Sequence, residues 1–192
     1  MGRGEPYFSS SPTQDILPAA VFLSGCVQKS PSPTLSIPRF SVNNFFNVRV
    51  VIQRVSKAEV TVAGAVVGKI GHGVCLFLGV GKSDGKSNAD ELVQKIKNLR
   101  IFEDSQGKMN WSIMDTAGEF LVVSQFTLYG DCDKGNRPSF SAAAPAAEGQ
   151  PLYDYFVERL RGSGLKVATG QFQAKMEVSL TNDGPVTLIL DR

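Results

Sequence analysis

The wholly apolar run Phe120 to Val123 gives way abruptly to Ser124, Gln125, Phe126 and Thr127 within "GEFLVVSQFTLYGD". Ser124, Gln125 and Thr127 thus set hydroxyl and amide side chains at the end of a buried strand, where they are candidates for a functional site if other segments join them. The same groups also suit strand-edge hydroxyls satisfied by neighbouring carbonyls. A second stretch, "SLTNDGPVTLILDR", sets Gly184 and Pro185 inside an otherwise strand-like run. Proline supplies no ladder donor. Asn182, Asp183 and Gly184 are turn formers, so local chemistry alone reads a hairpin whose second strand opens at Pro185.

Other chemistries find no support. The one histidine, His72, lies between Gly71 and Gly73 in a glycine turn, which favours an exposed surface position over a general base. A Ser-His-Asp relay is therefore not expected. There is no H-E-x-x-H, no histidine pair and no carboxylate cluster at metal-ligand spacing, so neither a metal nor another cofactor is expected. "GVGKSDGKS" lacks the spacing of a phosphate-binding P-loop and reads as a turn into a helix. Cys26, Cys75 and Cys132 share no C-x-x-C spacing and suit a reducing compartment. Cys75 reads as a small core hydrophobe, and Cys132, beside Asp131 and Asp133, lacks the positive surroundings that activate a thiolate. Thr127 as a covalent nucleophile is disfavoured because no histidine or lysine lies nearby in sequence to activate it.

These residues need a scaffold. The chain has 192 residues, 42% of them hydrophobic, which is enough for one well-buried domain. No apolar run approaches the ~20 residues of a membrane-spanning helix. A formal charge of only +2 argues against a broad grip on phosphates and leaves local nucleic acid contacts open. Residues 1–47 hold six of the ten prolines and many serines without sustained periodicity, which predicts a disordered extension. Its serine content suggests a transit peptide, yet Glu5, Asp15 and only three basic residues argue against one. Pro6 rules against a myristoylation signal.

From Val48 onward regular elements appear. "VRVVIQRVSKAEVTV", "AGAVVGKIGHG" and "VCLFLGV" predict a strand meander. "SNADELVQKIKNLRIF" places Leu92, Ile96 and Leu99 on one helical face, with Ser87 as the expected N-cap. A second helix is expected over "QPLYDYFVERLRGSG", with Pro151 in its first turn. Two or three further strands close the chain. The sum is a single α+β domain over residues 48–192, built on a curved antiparallel β-sheet with two main helices.

Five segments then stand together in order: "RVVIQRV" (49–55), "SQFTL" (124–128), "RPSFS" (137–141), "LYDYFVERLR" (152–161) and "KMEVSLTNDGPVT" (175–187). As a set they closely resemble the D-aminoacyl-tRNA deacylases, over nearly all of the chain beyond the leader. The resemblance implies a dimeric, barrel-like fold with an active site at the subunit interface. It implies a cis Gly184–Pro185 peptide that enters the partner's pocket as a chiral filter, its carbonyls facing the α-amino group so that an L side chain would meet backbone. Glycine would pass such a filter, so glycyl-tRNA is an implied substrate. Arg54 would hold the Gly-Pro loop, with a strand-surface charge as the alternative. Ser124 and Gln125 would position the terminal adenosine of the tRNA 3′ end, and the Phe126 and Thr127 amides would polarise the ester while the ribose hydroxyl assists attack. Phe140 and Met176 would line the pocket; an ordinary core role is the alternative for both, and for Met176 the two are evenly balanced.

The expected partners are a second copy of the chain and the 3′ end of aminoacyl-tRNA, with no membrane. The expected compartment is the cytoplasm, or a chloroplast or mitochondrion if residues 1–47 target one. A non-catalytic dimeric module that binds the tRNA end is the rival from another class.

Overall fold

β-Branched and apolar residues alternate along Arg49–Val62, and these residues form the long strand β1 in the computed structural model, which describes residues 48–192. The expectation of a disordered or targeting leader at 1–47 lies outside the described residues. β2 (Ala65–Ile70) and β3 (Gly73–Gly79) are strands as the sequence suggests, but not a meander: the two residues between them do not reverse the chain, and both strands run antiparallel to β1, one after the other. After α1 (Lys86–Asn98) comes a short ribbon of β4 (Phe102–Glu103) and β5 (Met109–Trp111), then β6 (Glu119–Ser124). A 3-10 turn at Phe126–Tyr129, α2 (Ala146–Arg161), β7 (Val167–Thr169) and β8 (Glu177–Asp191) complete the domain.

The main sheet runs β2-β1-β3-β6-β7, with β8 paired along the other edge of β1. The α+β class, the curvature and the two main helices agree with expectation. The sheet is mixed, however: β3 pairs with β6, and β6 with β7, in parallel. Segments 80–118 and 125–166 are long enough to carry the chain back to the starting end of the sheet, which parallel neighbours require. Closure towards a barrel shows at Gly68, where a Cβ would fall 2.3 Å from the Thr169 carbonyl oxygen, so β2 and β7 nearly touch.

Strand alternation divides the apolar residues between two cores. Leu76, Phe120 and Val122 face the helices and meet Leu92, Ile96, Phe156 and Leu160. Cys75, Leu121 and Val123 point the other way, into the barrel with Val55, Val60 and Ile70. Cys75 is fully buried, and burial pushes its thiol up to about 12, so it is the inert core residue expected.

Three local expectations are corrected. Ser87 is not the N-cap of α1; Gly85 is, and its N–H donates to Asn88 Oδ1 at 2.9 Å. Pro151 lies inside α2, because Pro145 caps a helix that begins at Ala146 and the alanines there are strong helix formers. Residues 182–185 are not a hairpin turn. β8 is one strand that pairs with β1 on both sides of them, through register shifts opposite Gln53 to Lys57. The strand therefore bulges at Gly184–Pro185 and resumes.

Candidate functional site

Leu78, Val80, Val123, Ser124 and Gln125 lie at or just past the carboxyl ends of the parallel neighbours β3 and β6, and they line a cavity of about 750 Å³. Crevices at such strand ends are habitual ligand sites, because the chain leaves the sheet there with polar backbone groups still unpaired. The segment after β7 adds Phe172 and Met176, and α2 adds Tyr153. Phe126 and Phe140 close one side as an edge-to-face pair with ring centroids 5.1 Å apart. The walls are thus largely apolar and aromatic, with a few polar groups at one end.

Of the residues singled out from sequence, Ser124, Gln125, Phe126, Phe140 and Met176 meet at this cavity. Met176 serves both readings offered for it, since it also packs on the barrel core. Thr127 is exposed and outside the lining, and its hydroxyl accepts a hydrogen bond from the Gln125 side-chain amide. Gln125 N–H donates to Leu78 O at 2.8 Å, which pins the start of the turn to β3. Phe126 and Thr127 open the 3-10 helix, so its own carbonyls cannot reach their N–H groups.

Gly184 and Pro185 stand elsewhere. Their peptide is cis, both residues are exposed, and neither lines the cavity of its own chain. Arg54, by contrast, is 3% exposed, which overturns the plain surface-charge reading. Its Nε donates to the Asp183 carbonyl at 3.0 Å, and its Nη1 to Ile101 O at 2.6 Å. Nη2 reaches Glu103 Oε1 at 3.4 Å, and the Asp183 carboxylate lies 3.4 Å from Nε. Asn182 braces the other flank, its Oδ1 accepting from Val186 N–H at 2.8 Å. The bulge is therefore held from beneath and presented outward.

Several residues around the site carried no local signal. Tyr153 donates its hydroxyl to Val122 O at 2.9 Å, and burial raises its pKa. Tyr129 donates to Asp84 Oδ2 at 3.3 Å, and burial pushes both the phenol and the carboxyl up. Only the spacing of the turn and the loop after β3 could have hinted at that pair. Among the described residues no group of three or more histidine, cysteine or acidic side chains could hold a metal ion. His72 is exposed in the short bend between β2 and β3, its ring 5.0 Å edge-on from Phe102.

Known proteins share this chain's sequence pattern and fold. The pattern of the family described as D-Tyr-tRNA(Tyr) deacylase matches residues 51–191. A D-aminoacyl-tRNA deacylase of Thermotoga petrophila is 57% identical over 144 residues, covering 75% of this chain and 97% of its own length. One from Thermosipho melanesiensis is 55% identical over 145 residues, with the same two coverages. Among solved structures, one described as c-Myc DNA Unwinding Element Binding Protein superposes with a TM-score of 0.71 at 42% identity, over 75% of this chain and 98% of its own. A probable eukaryotic D-amino acid tRNA deacylase shares the fold, with a TM-score of 0.68 at 19% identity over 76% of this chain and 100% of its own.

Proposed function

The chain belongs to the D-Tyr-tRNA(Tyr) deacylase family, and we propose that its cavity receives the aminoacylated 3′ end of tRNA while the Gly184–Pro185 bulge of a second copy screens the amino acid. The enzyme is a hydrolase of D-aminoacyl-tRNA. The observation that carries the finer reading is a separation: the polar turn lies on the chain's own cavity, whereas the braced bulge faces outward. A filter built to enter a partner's site needs that outward placement.

In this reading Ser124 and Gln125 hold the terminal adenosine, and Phe140 and Met176 form its flat apolar wall. Water adds to the ester carbonyl with help from the adjacent ribose hydroxyl, the amides of Phe126 and Thr127 stabilise the oxyanion, and the bond to the ribose oxygen breaks. Free amino acid and tRNA leave. No side-chain base is required, in keeping with the exposed, remote position of His72. Gly184 and Pro185 face the α-amino group, so an L side chain meets backbone while glycine, with none, is accepted. Arg54 holds the bulge that does this.

The test is release of amino acid from D-tyrosyl-tRNA, L-tyrosyl-tRNA and glycyl-tRNA by the full chain. The D and glycyl esters are expected to be cleaved and the L ester spared. The neighbour described as DNA-binding gives the binding-module reading its one support, and survival of all three esters would leave that reading standing.

Thr127→Ala separates two mechanisms within the reading. If backbone amides carry the chemistry, kcat falls by less than about tenfold, since the amide survives the substitution. A covalent threonine would instead lose on the order of 10³-fold or more. Single-turnover kinetics on D-tyrosyl-tRNA decides between them.

Among the described residues no helix is long and apolar enough to cross a membrane. The cytoplasm is the proposed compartment, and organellar fluorescence from a fusion of the full chain would overturn it.

A further inference from the structure

The 3-10 turn that carries Phe126 and Thr127 is gripped from two sides. On one side Tyr129 is seated against the end of β3, where a Cβ at Gly79 would lie 3.1 Å from both Gln125 O and the Tyr129 ring. A Cβ at Gly81 would lie 2.9 Å from the Tyr129 hydroxyl oxygen. That hydroxyl donates to Asp84 Oδ2, which also accepts Gly81 N–H at 2.6 Å. The slot for Tyr129 thus exists only because two glycines leave it open.

Arg49 supplies the other side. Its Nε and Nη2 donate to the two carboxylate oxygens of Asp191, at 2.8 and 3.2 Å, in a bidentate pair joining the first residue of β1 to the last of β8. The remaining nitrogen, Nη1, donates to Leu128 O at 3.0 Å, and the guanidinium lies 5.7 Å from the Tyr129 ring centroid. We propose that Arg49 is a positioning residue for deacylation: locked onto Asp191, it holds the Leu128 carbonyl and so fixes where the Phe126 and Thr127 amides point. The proposal rests on the reading of that turn as the oxyanion-stabilising element.

Charge alone does not explain the arrangement. Both side chains of the pair are 41% exposed, and a pair so wet adds little to stability. What a guanidinium offers is shape: a planar fork that fills a carboxylate with two N–H groups and still directs a third elsewhere. Lysine keeps the charge beside Asp191 but brings one ammonium on a flexible stem. It cannot hold both acceptors in that fixed geometry.

The experiment compares the parent chain with Arg49→Lys and Arg49→Met. Displacing a catalytic group by a fraction of its length costs roughly tenfold to a hundredfold in rate. Both variants should therefore lose kcat on D-tyrosyl-tRNA by roughly that factor, with a smaller change in KM, because Arg49 itself is outside the cavity lining and only the Phe126 side of the wall shifts. Amide ¹H–¹⁵N signals of Phe126 and Thr127 should move in both variants, while that of Gly184 stays in place. Parental kcat and unmoved turn amides in Arg49→Lys would overturn the proposal, whatever happens to the melting temperature. A rise in KM at unchanged kcat would overturn it too, by making Arg49 a binding group. Should Arg49→Met fail to fold, the lysine variant decides alone. If the parent chain cleaves no ester, the functional reading fails, and the amide signals still judge whether Arg49 sets the turn.

Discussion

Arg54→Met is expected to cost about 3 kcal/mol of stability and to erase most of the preference for D over L esters. Methionine matches the length of the arginine stem but donates nothing. Two carbonyls, Ile101 O and Asp183 O, then lose a charged donor in a place where water reaches poorly, since the Arg54 side chain is only 4% exposed. The two carboxylates matter less to the total, because Glu103 and Asp183 are about half exposed and regain water once the guanidinium is gone. A loss of about 3 kcal/mol leaves a domain of ordinary stability folded, so the variant can be assayed. Asp183 is the last residue before the Gly-Pro pair, and freeing its carbonyl lets the bulge wander. The ratio of kcat/KM for D-tyrosyl-tRNA to that for L-tyrosyl-tRNA should then fall at least tenfold, a change of about 1.4 kcal/mol in transition-state discrimination. A denaturant midpoint that drops while the D to L ratio holds would show that Arg54 supports the sheet and not the filter.

The role expected of Arg54 came from a resemblance, and its neighbours show why periodicity alone could not supply it. Val50, Ile52 and Arg54 share one face of β1, so alternation puts the arginine where an apolar residue belongs. Its partners are two backbone carbonyls and two acids from segments 47 and 129 residues away or nearly so, which no local pattern announces. The same limit explains the parallel pairings. The strand character of β6 was legible in "FLVV", but its neighbour is set by how α1 and α2 pack, a non-local outcome. Where the information was local, the reading was mostly sound: Leu92 and Ile96 on the apolar face of α1, the core position of Cys75 and the polar end of β6 follow from short-range spacing, whereas Leu99, expected on the same face, is the extended residue that ends the helix at Asn98 and packs on the core from there. The misreading of residues 182–185 as a hairpin has a physical cause as well. Asn, Asp, Gly and Pro favour any sharp departure from a strand, and a bulge in a continuing strand uses them as readily as a reversal does.

Gly184→Ala should be among the most damaging single methyl groups that can be added to this chain, and Gly64→Ala provides its control. Both glycines have positive φ, +127° and +81°, where an L side chain is strained. At Gly64 nothing lies within 4 Å of the new Cβ, so only the backbone term remains, about 1 kcal/mol. At Gly184 the methyl would fall 2.8 Å from Arg54 Nη2, 2.8 Å from Val186 Cγ2 and 3.1 Å from Val186 N. None of these can yield cheaply. Arg54 is pinned by Ile101 O, and Val186 is buried, its N–H held by Asn182. The bulge must move instead, and with it the carbonyls proposed to face the substrate amine. Chemical denaturation should show Gly184→Ala less stable than Gly64→Ala by about 2 kcal/mol or more, the combined cost of overpacking and a displaced hydrogen-bonded loop. D-tyrosyl-tRNA turnover should fall at least tenfold in Gly184→Ala and stay parental in Gly64→Ala. Equal stability and an unchanged D to L ratio in the two variants would mean that the contact between Arg54 and the bulge does not set the geometry of the filter.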